Sequence, residues 1–227
     1  MRTLLAAPLT AGWIEIRGEE AHHGRTVLRL AQGDQVRLAD GAGQAASGVV
    51  AQVARDRLMV HCADPQPVAD PPAIHLTIAA AAPKGDRLAD LVRMLSELGV
   101  GRYIPLLTER GERDQVNAER LDRIAREALK QSRRGRLLAI DPPRQLAELG
   151  GALVVCDPAG APARPGPMSE ITVVIGPEGG LTAAELAGLS ARGAMAVRLG
   201  GNILRIETAA AAAAAVWGTA WEARHHV

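Results

Sequence analysis

Two glycine-rich turns in the last third of the chain carry the residue types best suited to chemistry. The first, Gly176-Pro177-Glu178-Gly179-Gly180, follows the apolar run Ile171–Ile175 and precedes Thr182-Ala183-Ala184-Glu185. An uninterrupted apolar run of this kind reads as a strand buried on both faces of a parallel sheet. A threonine with a glutamate three residues on is a capping box that opens a helix. A glycine turn between the carboxyl end of a strand and a helix is where open α/β sheets bind ligands. The spacing is not GxGxxG and no Gly-Lys-Ser/Thr follows, so neither a dinucleotide nor a P-loop phosphate site fits. The Glu178 carboxylate would repel phosphate and suits a ligand with a cationic centre, or a hydrogen-bonding base and ribose. From this turn alone, a ligand loop and a plain tight βα turn stand as equal readings.

The second turn weighs toward a ligand. The extended run Ala196–Leu199 is followed by Gly200-Gly201-Asn202-Ile203-Leu204-Arg205, and a helix opens at Glu207-Thr208. Ile203 and Leu204 can flank an adenine while free backbone N–H and C=O groups read its edge. Glu207 and Thr208 are favoured at a helix start by capping and the helix dipole whatever the function. The seven alanines Ala209–Ala215 read as packing, since small side chains let a helix approach its neighbour closely.

These turns need elements to position them. The stretch 62–73 holds four prolines and no periodic pattern, which reads as a linker. Before it, short extended runs (Trp13–Arg17, Gln35–Ala39, Ser47–Val53, Leu58–His61) and a helix around His22–Leu30 make a small, mostly β unit. After it, strands at Ile74–Ala80, Tyr103–Leu107, Leu153–Cys156, Ile171–Ile175 and Ala196–Leu199 alternate with helices. These are expected over Asp86–Leu98, Ala118–Arg133, Ala183–Arg192 and Glu207–Arg224. That alternation means an α/β domain with a largely parallel sheet. Asp157–Pro167 reads as a surface loop. The expected division is 1–68 and 74–227.

Composition narrows the classes. The chain has no Phe and one Tyr, so Leu, Val, Ile and Ala must fill its core. All of its basic residues but Lys84 and Lys130 are arginine, so anions would be met by planar, bidentate guanidinium groups. Cys62 and Cys156 belong to no CxxC, which argues against a zinc or iron–sulfur site and for a reducing compartment. No metal is expected. No apolar run reaches the length of a membrane span, and the N-terminus lacks the pattern of a signal peptide, so a cytoplasmic protein is expected.

Taken together, several segments resemble the RsmE-type 16S rRNA (uracil-N3)-methyltransferases of the SPOUT class. They are VIGPEGGLTAAE (174–185), LGGNILRIETA (199–209), PKGDRLADLV (83–92), SELGV (96–100), PLLTERGER (105–113), KQSRRGR (130–136) and HHGRTVLRLAQGD (22–34). The resemblance covers nearly the whole chain, in order. It departs at Gly111, where the family commonly has serine, at Lys130-Gln131, where many members have Glu-Gln, and at Arg133, where a small residue is commoner. The resemblance implies an α/β SPOUT-type catalytic domain with a C-terminal trefoil knot, preceded by a small PUA-like β-barrel domain that binds RNA. It implies S-adenosyl-L-methionine as cofactor, a homodimer, and 16S rRNA, on the 30S ribosomal subunit, as partner.

On that reading Gly176, Glu178, Gly179, Leu199, Gly200, Asn202, Ile203, Leu204, Arg205 and Thr208 are the expected cofactor-binding residues. Uracil N3–H must lose its proton, and negative charge then develops on the ring carbonyl oxygens, where an arginine would stabilise it. Arg205 and Arg110 are the candidates, Arg110 either from its own chain or across the dimer. Glu178 or Glu207 can accept the proton or hold an arginine in place, though for Glu207 a helix-start carboxylate is the favoured reading. Residues 120–136 carry seven basic residues against two acidic ones, an excess of +5 in a chain of net +1. Their spacing of three and four puts most on one helical stripe, either a solvated face or a phosphate track. The expected RNA contacts are His22, Arg25 and Arg29 in the first domain, with Lys84, Arg87, Arg133, Arg134 and Arg136. Two rivals stand: a SPOUT ribose 2′-O-methyltransferase, and a non-catalytic RNA-binding or ribosome-assembly factor.

Overall fold

A computed structural model describes residues 1–69, 75–111, 117–166 and 170–225. The end of the proline-rich stretch (70–73), the first residue of the strand expected from Ile74, the end of the Thr-Glu-Arg run (112–113) and Pro167 lie outside the described residues. The chain forms two compact units. The first holds residues 1–69 with Arg126–Leu137, and the second holds the remainder. The segment 126–137, read from the sequence as part of the larger domain, therefore packs with the smaller unit.

The first unit runs β1 (Arg2–Leu5), β2 (Gly12–Arg17), α1 (Gly18–Thr26), β3 (Gln35–Ala39), β4 (Gln44–Val53), β5 (Arg57–Cys62) and β6 (Gln66–Pro67). The sheet order is β1-β3-β4-β5-β2, with β6 on β4. β1 is parallel to β3 and the other pairs are antiparallel. Alternation decides the faces: Leu58, Val60 and Cys62 of β5 turn into a core with Leu4, Ile14, Ile16, Val36, Leu38 and Val50. Helix α1 starts four residues earlier than His22. Glu19 and Glu20 sit in its first turn, where the dipole favours them. It ends before Leu30 because Arg29 takes φ +50°, and the turn returns Leu30 to the core.

The second unit begins with β7 (Leu76–Ala81), α2 (Asp86–Glu97), β8 (Arg102–Leu107) and α3 (Ala118–Ser132), the unit boundary falling within α3. It continues through β9 (Ala139–Ile140), β10 (Arg144–Gln145), β11 (Leu153–Pro162), β12 (Ile171–Ile175), α4 (Ala183–Ala191), β13 (Met195–Arg198) and α5 (Ile206–His225). The sheet is parallel throughout, in the order β10-β8-β7-β12-β11-β13 with β9 on β8. β7 and β12 lie centrally and bury both faces, as their continuous apolar runs require. Ala209, Ala210, Ala213 and Ala214 are buried where α5 packs on α2, β7 and β12.

One expectation is corrected here. Asp157–Pro162 is not surface loop but the continuation of β11. The strand pairs with β13 on both sides of an irregularity, so Val197 is opposite Cys156 and again opposite Ala161. Gly160 closes that excursion: a Cβ there would lie 2.6 Å from the Val197 backbone nitrogen. At the other end of the sheet the capping box reaches beyond its helix. Thr182 Oγ1 accepts from the Glu185 N–H, Glu185 Oε2 accepts from the Thr182 N–H at 2.7 Å, and Glu185 Oε1 accepts from the Glu109 N–H at 2.8 Å. One carboxylate thus ties the start of α4 to the end of β8.

Two stability predictions follow from these contacts. Gly160→Ala must push backbone against backbone, and urea unfolding should show a loss of about 1–3 kcal/mol. Glu185→Ala removes two acceptors at once and should cost about 1–2 kcal/mol. Glu185→Gln, whose amide oxygen still accepts, should recover part of that loss in the same assay.

Candidate functional site

The carboxyl ends of β12 and β13 open onto a cleft of about 410 Å³, a size that takes a small molecule. Both glycine turns line it, together with the excursion of β11. Nine of the ten residues expected at a cofactor site are in its wall: Gly176, Glu178, Gly179, Leu199, Gly200, Asn202, Ile203, Leu204 and Arg205. Thr208 is not. It is exposed on α5, and the helix turns Ile206 and Ala209 toward the cleft instead.

In the first turn the Gly180 N–H donates to the Pro177 carbonyl at 2.8 Å, with Gly180 at φ +69°. Gly176 is crowded by Leu181, whose backbone nitrogen would lie 3.2 Å from a Cβ. The tight βα turn is therefore also part of the cleft wall. Glu178 is half exposed and accepts from Arg87 Nη1 at 2.9 Å, so of its two expected roles the geometry matches the one that holds an arginine. Arg110 of the same chain donates to the Gly179 carbonyl at 2.8 Å, which brings the end of β8 onto this turn without help from a second subunit.

The second turn leaves Ile203 86% exposed, an apolar side chain standing open at the cleft, with the half-buried Leu204 beside it. A Cβ at Gly200 or Gly201 would meet no atom within 4 Å, so this rim is open. Arg205 is exposed and in the wall. Glu207, read as a helix-start carboxylate, is buried on α5 with Oε2 unpartnered, and it lies outside the cleft wall.

Cys156, Asp157 and Pro158 of β11 also line the cleft, and sequence reading missed them. Proline and glycine density marked 157–167 as loop, and only the non-local pairing with β13 reveals a wall. Burial pushes the Cys156 thiol up to about 12, so it serves as a neutral apolar surface and not as a nucleophile. The charged side chains of the wall balance, Asp157 and Glu178 against Arg198 and Arg205. Apolar walls, close backbone and balanced charge suit a ligand with an aromatic base and little net charge, and not a polyphosphate.

The basic stripe of α3 divides. Lys130 is buried, at 3.2 Å from Glu20 and 2.6 Å from Glu127, and Arg134 is 7% exposed. Arg120 pairs with Asp86 at 3.1 Å. The stripe is therefore not one continuous solvent-facing track, and Arg134 is corrected from surface contact to buried side chain. His22, Arg25, Arg29 and Arg133 are exposed in the first unit, while Arg136 is exposed but donates to the Ala42 carbonyl at 2.7 Å. His23 is half buried, with Nε2 at 4.0 Å from Glu127. In the second unit Lys84 is exposed and Arg87 is engaged by Glu178. Among the described residues no helix is long and apolar enough to cross a membrane, and no cluster of His, Cys, Asp or Glu is arranged to hold a metal.

Known proteins resemble this chain in sequence and fold. Residues 70–218 match the model of an RNA methyltransferase domain, and residues 16–60 that of an RNA methyltransferase PUA domain. The ribosomal RNA small subunit methyltransferase E of Mycobacterium bovis is 31% identical over 95% of this chain and 91% of its own. The enzyme of the same name from Neisseria gonorrhoeae, solved bound to S-adenosyl methionine, superposes with a TM-score of 0.87 at 25% identity, covering 97% and 98% of the two chains. A methyltransferase from Legionella pneumophila, solved with the bound cofactor SAM, gives 0.84 at 26% identity over 96% of each chain. The chain belongs to the ribosomal RNA small subunit methyltransferase E family, with a PUA-like domain ahead of its RNA methyltransferase domain.

Proposed function

We propose that this protein transfers the methyl group of S-adenosylmethionine to N3 of one uridine in the decoding region of 16S rRNA. It acts in the cytoplasm, as a homodimer, on the assembled 30S subunit. The observation that carries the reading is the convergence of both glycine turns on one cleft of charge-balanced, apolar wall. The family membership and the donor named in two superposable structures support it. The trefoil-knotted path implied by the resemblance belongs to the same reading.

The residues present fit that donor. Ile203, Leu204 and Leu199 offer apolar faces to an adenine, and Gly176, Gly179 and Gly200 bring backbone close without a Cβ in the way. When bound, S-adenosylmethionine supplies an electrophilic methyl group for in-line displacement. The protein's task is then largely to position the acceptor and exclude water. Arg205, exposed in the wall, stabilises the charge that grows on the uracil carbonyl oxygens as N3–H is lost. Glu178 holds Arg87, and Arg110 holds the Gly179 carbonyl, so both brace the first turn from α2 and β8. Exposed His22, Arg25 and Arg29 of the first unit and Lys84 of the second meet the RNA backbone.

The test is methyl transfer to 30S subunits and, in parallel, to protein-free rRNA, with the product nucleoside identified by mass spectrometry. N3-methyluridine formed on the 30S particle is the expected product. A ribose-methylated nucleoside would overturn the base assignment, and absence of transfer to any RNA despite cofactor binding would overturn the enzymatic one. Arg205→Ala should lower kcat about 100-fold while leaving cofactor affinity nearly unchanged; full activity would remove Arg205 from the mechanism.

A further inference from the structure

The first unit holds a group of polar side chains that neither its core nor the proposed reaction uses. Along β3, Val36 and Leu38 are fully buried in the core, so Arg37 between them points to the opposite face of the sheet. The strand register sets Arg37 between Thr3 of β1 and Ser47 of β4, placing a hydroxyl on each side of the guanidinium. The next residues on that face are Leu5, Ala39 and Ala45 one way and Gln35 and Val49 the other, none of them acidic. Thr3 is 6% exposed and its Oγ1 has no hydrogen-bond partner. Nη1 of Arg37 is likewise buried and without a partner. Donors left unpaired in this way cost stability unless an acceptor arrives.

A second guanidinium comes from the segment that follows α3. Arg133 takes φ +59°, a left-handed conformation that favours glycine, at the point where the helix ends. Burial holds the Arg37 guanidinium below its ordinary pKa, and the positive charge of Arg133 adds to the effect. Neither arginine is ion-paired among the described residues. The neighbouring cations are engaged elsewhere: Lys130 by Glu20 and Glu127, Arg2 by Asp34, Arg136 by the Ala42 carbonyl. A guanidinium held beside unpaired buried donors is unfavourable alone and favourable around an anion. Guanidinium forks match a tetrahedral oxyanion bidentately.

We propose that Arg37, set between the Thr3 and Ser47 hydroxyls, binds one phosphate group, and that this group is a backbone phosphate of the RNA substrate. The inference rests on the reading of the chain as an rRNA methyltransferase and adds a defined anchoring point in its first unit. Arg37 is a docking residue, remote in kind from the reacting atoms, and acts on affinity.

The experiment compares the full chain with its Arg37→Met and Arg37→Lys variants. Binding to a protein-free small-subunit rRNA transcript is measured across a KCl series, with thermal unfolding of each protein alongside. Arg37→Met should bind about tenfold more weakly, and its log K against log[salt] slope should be smaller by about one. Its Tm should hold or rise, because an unpaired buried donor has been removed. Arg37→Lys should keep the slope and lose part of the affinity. Unchanged affinity and slope in Arg37→Met would overturn the proposal, as would a fall in Tm in both variants with RNA binding intact, which marks a structural arginine. A third arm replaces chloride with inorganic phosphate at matched ionic strength. If phosphate raises the wild-type Tm but not that of Arg37→Met, while the RNA slopes coincide, the site takes a free anion and the RNA assignment is wrong. The wild-type product nucleoside is read separately. A product other than N3-methyluridine would overturn the reaction proposed above and leave the Arg37 comparison standing, since that comparison reads affinity.

Discussion

Val197 meets β11 twice, opposite Cys156 and again opposite Ala161, and Asp157 and Pro158 of the intervening excursion join Cys156 in one wall of the cleft. Parallel strands hold a fixed register unless one carries extra residues, and the extra residues must leave the sheet. Here they leave it at the carboxyl ends of the strands, where β12 and β13 deliver their glycine turns. Gly160 permits the excursion, because the strand returns to β13 so closely that no Cβ fits.

Within the two units, each taken by itself, the arginines fall into two kinds. Some brace backbone: Arg110 holds the Gly179 carbonyl, Arg192 the Leu146 and Leu149 carbonyls, Arg136 the Ala42 carbonyl. These contacts use the guanidinium as a fork of donors, and they satisfy carbonyls that turns and strand ends leave open. Others, such as Arg205 at the cleft, stay exposed and are suited to meet charge that arrives with a substrate. A chain with almost no lysine is well supplied for both uses. A net charge of +1 thus hides a molecule whose cations are sorted by position and not by number.

The first unit shows the same sorting by depth. Lys130 and Arg134 look, at spacings of three and four, like members of a solvent-facing basic stripe. Instead the C-terminal part of α3 packs with the first unit, where Glu20 and Glu127 neutralise Lys130. Glu20 also accepts from the Leu5 N–H, so one carboxylate serves β1 and α3 together. A buried ammonium needs such partners, since removing it from water unpaired would cost more than the packing returns.

Much of this protein is determined locally and was legible from residue order alone. The apolar run of β12, the Thr182–Glu185 capping box, the alternation of β5 and the two glycine turns each depend on neighbours within a few residues. Their sum, with the resemblance carried by the motifs, was enough to specify an α/β domain, a small β unit before it and two candidate ligand turns. The tertiary structure alone decided the rest. The β11 excursion rests on pairing with β13 more than thirty residues away. The parallel partnership of β1 with β3 was invisible because four residues carry too little pattern. The Arg87–Glu178 pair, the burial of Lys130 and Arg134, and the row of Thr3, Arg37 and Ser47 likewise join residues distant in sequence. Periodicity reports which face of an element is apolar; which partner covers that face, and which charges it covers with it, is settled only when the elements meet.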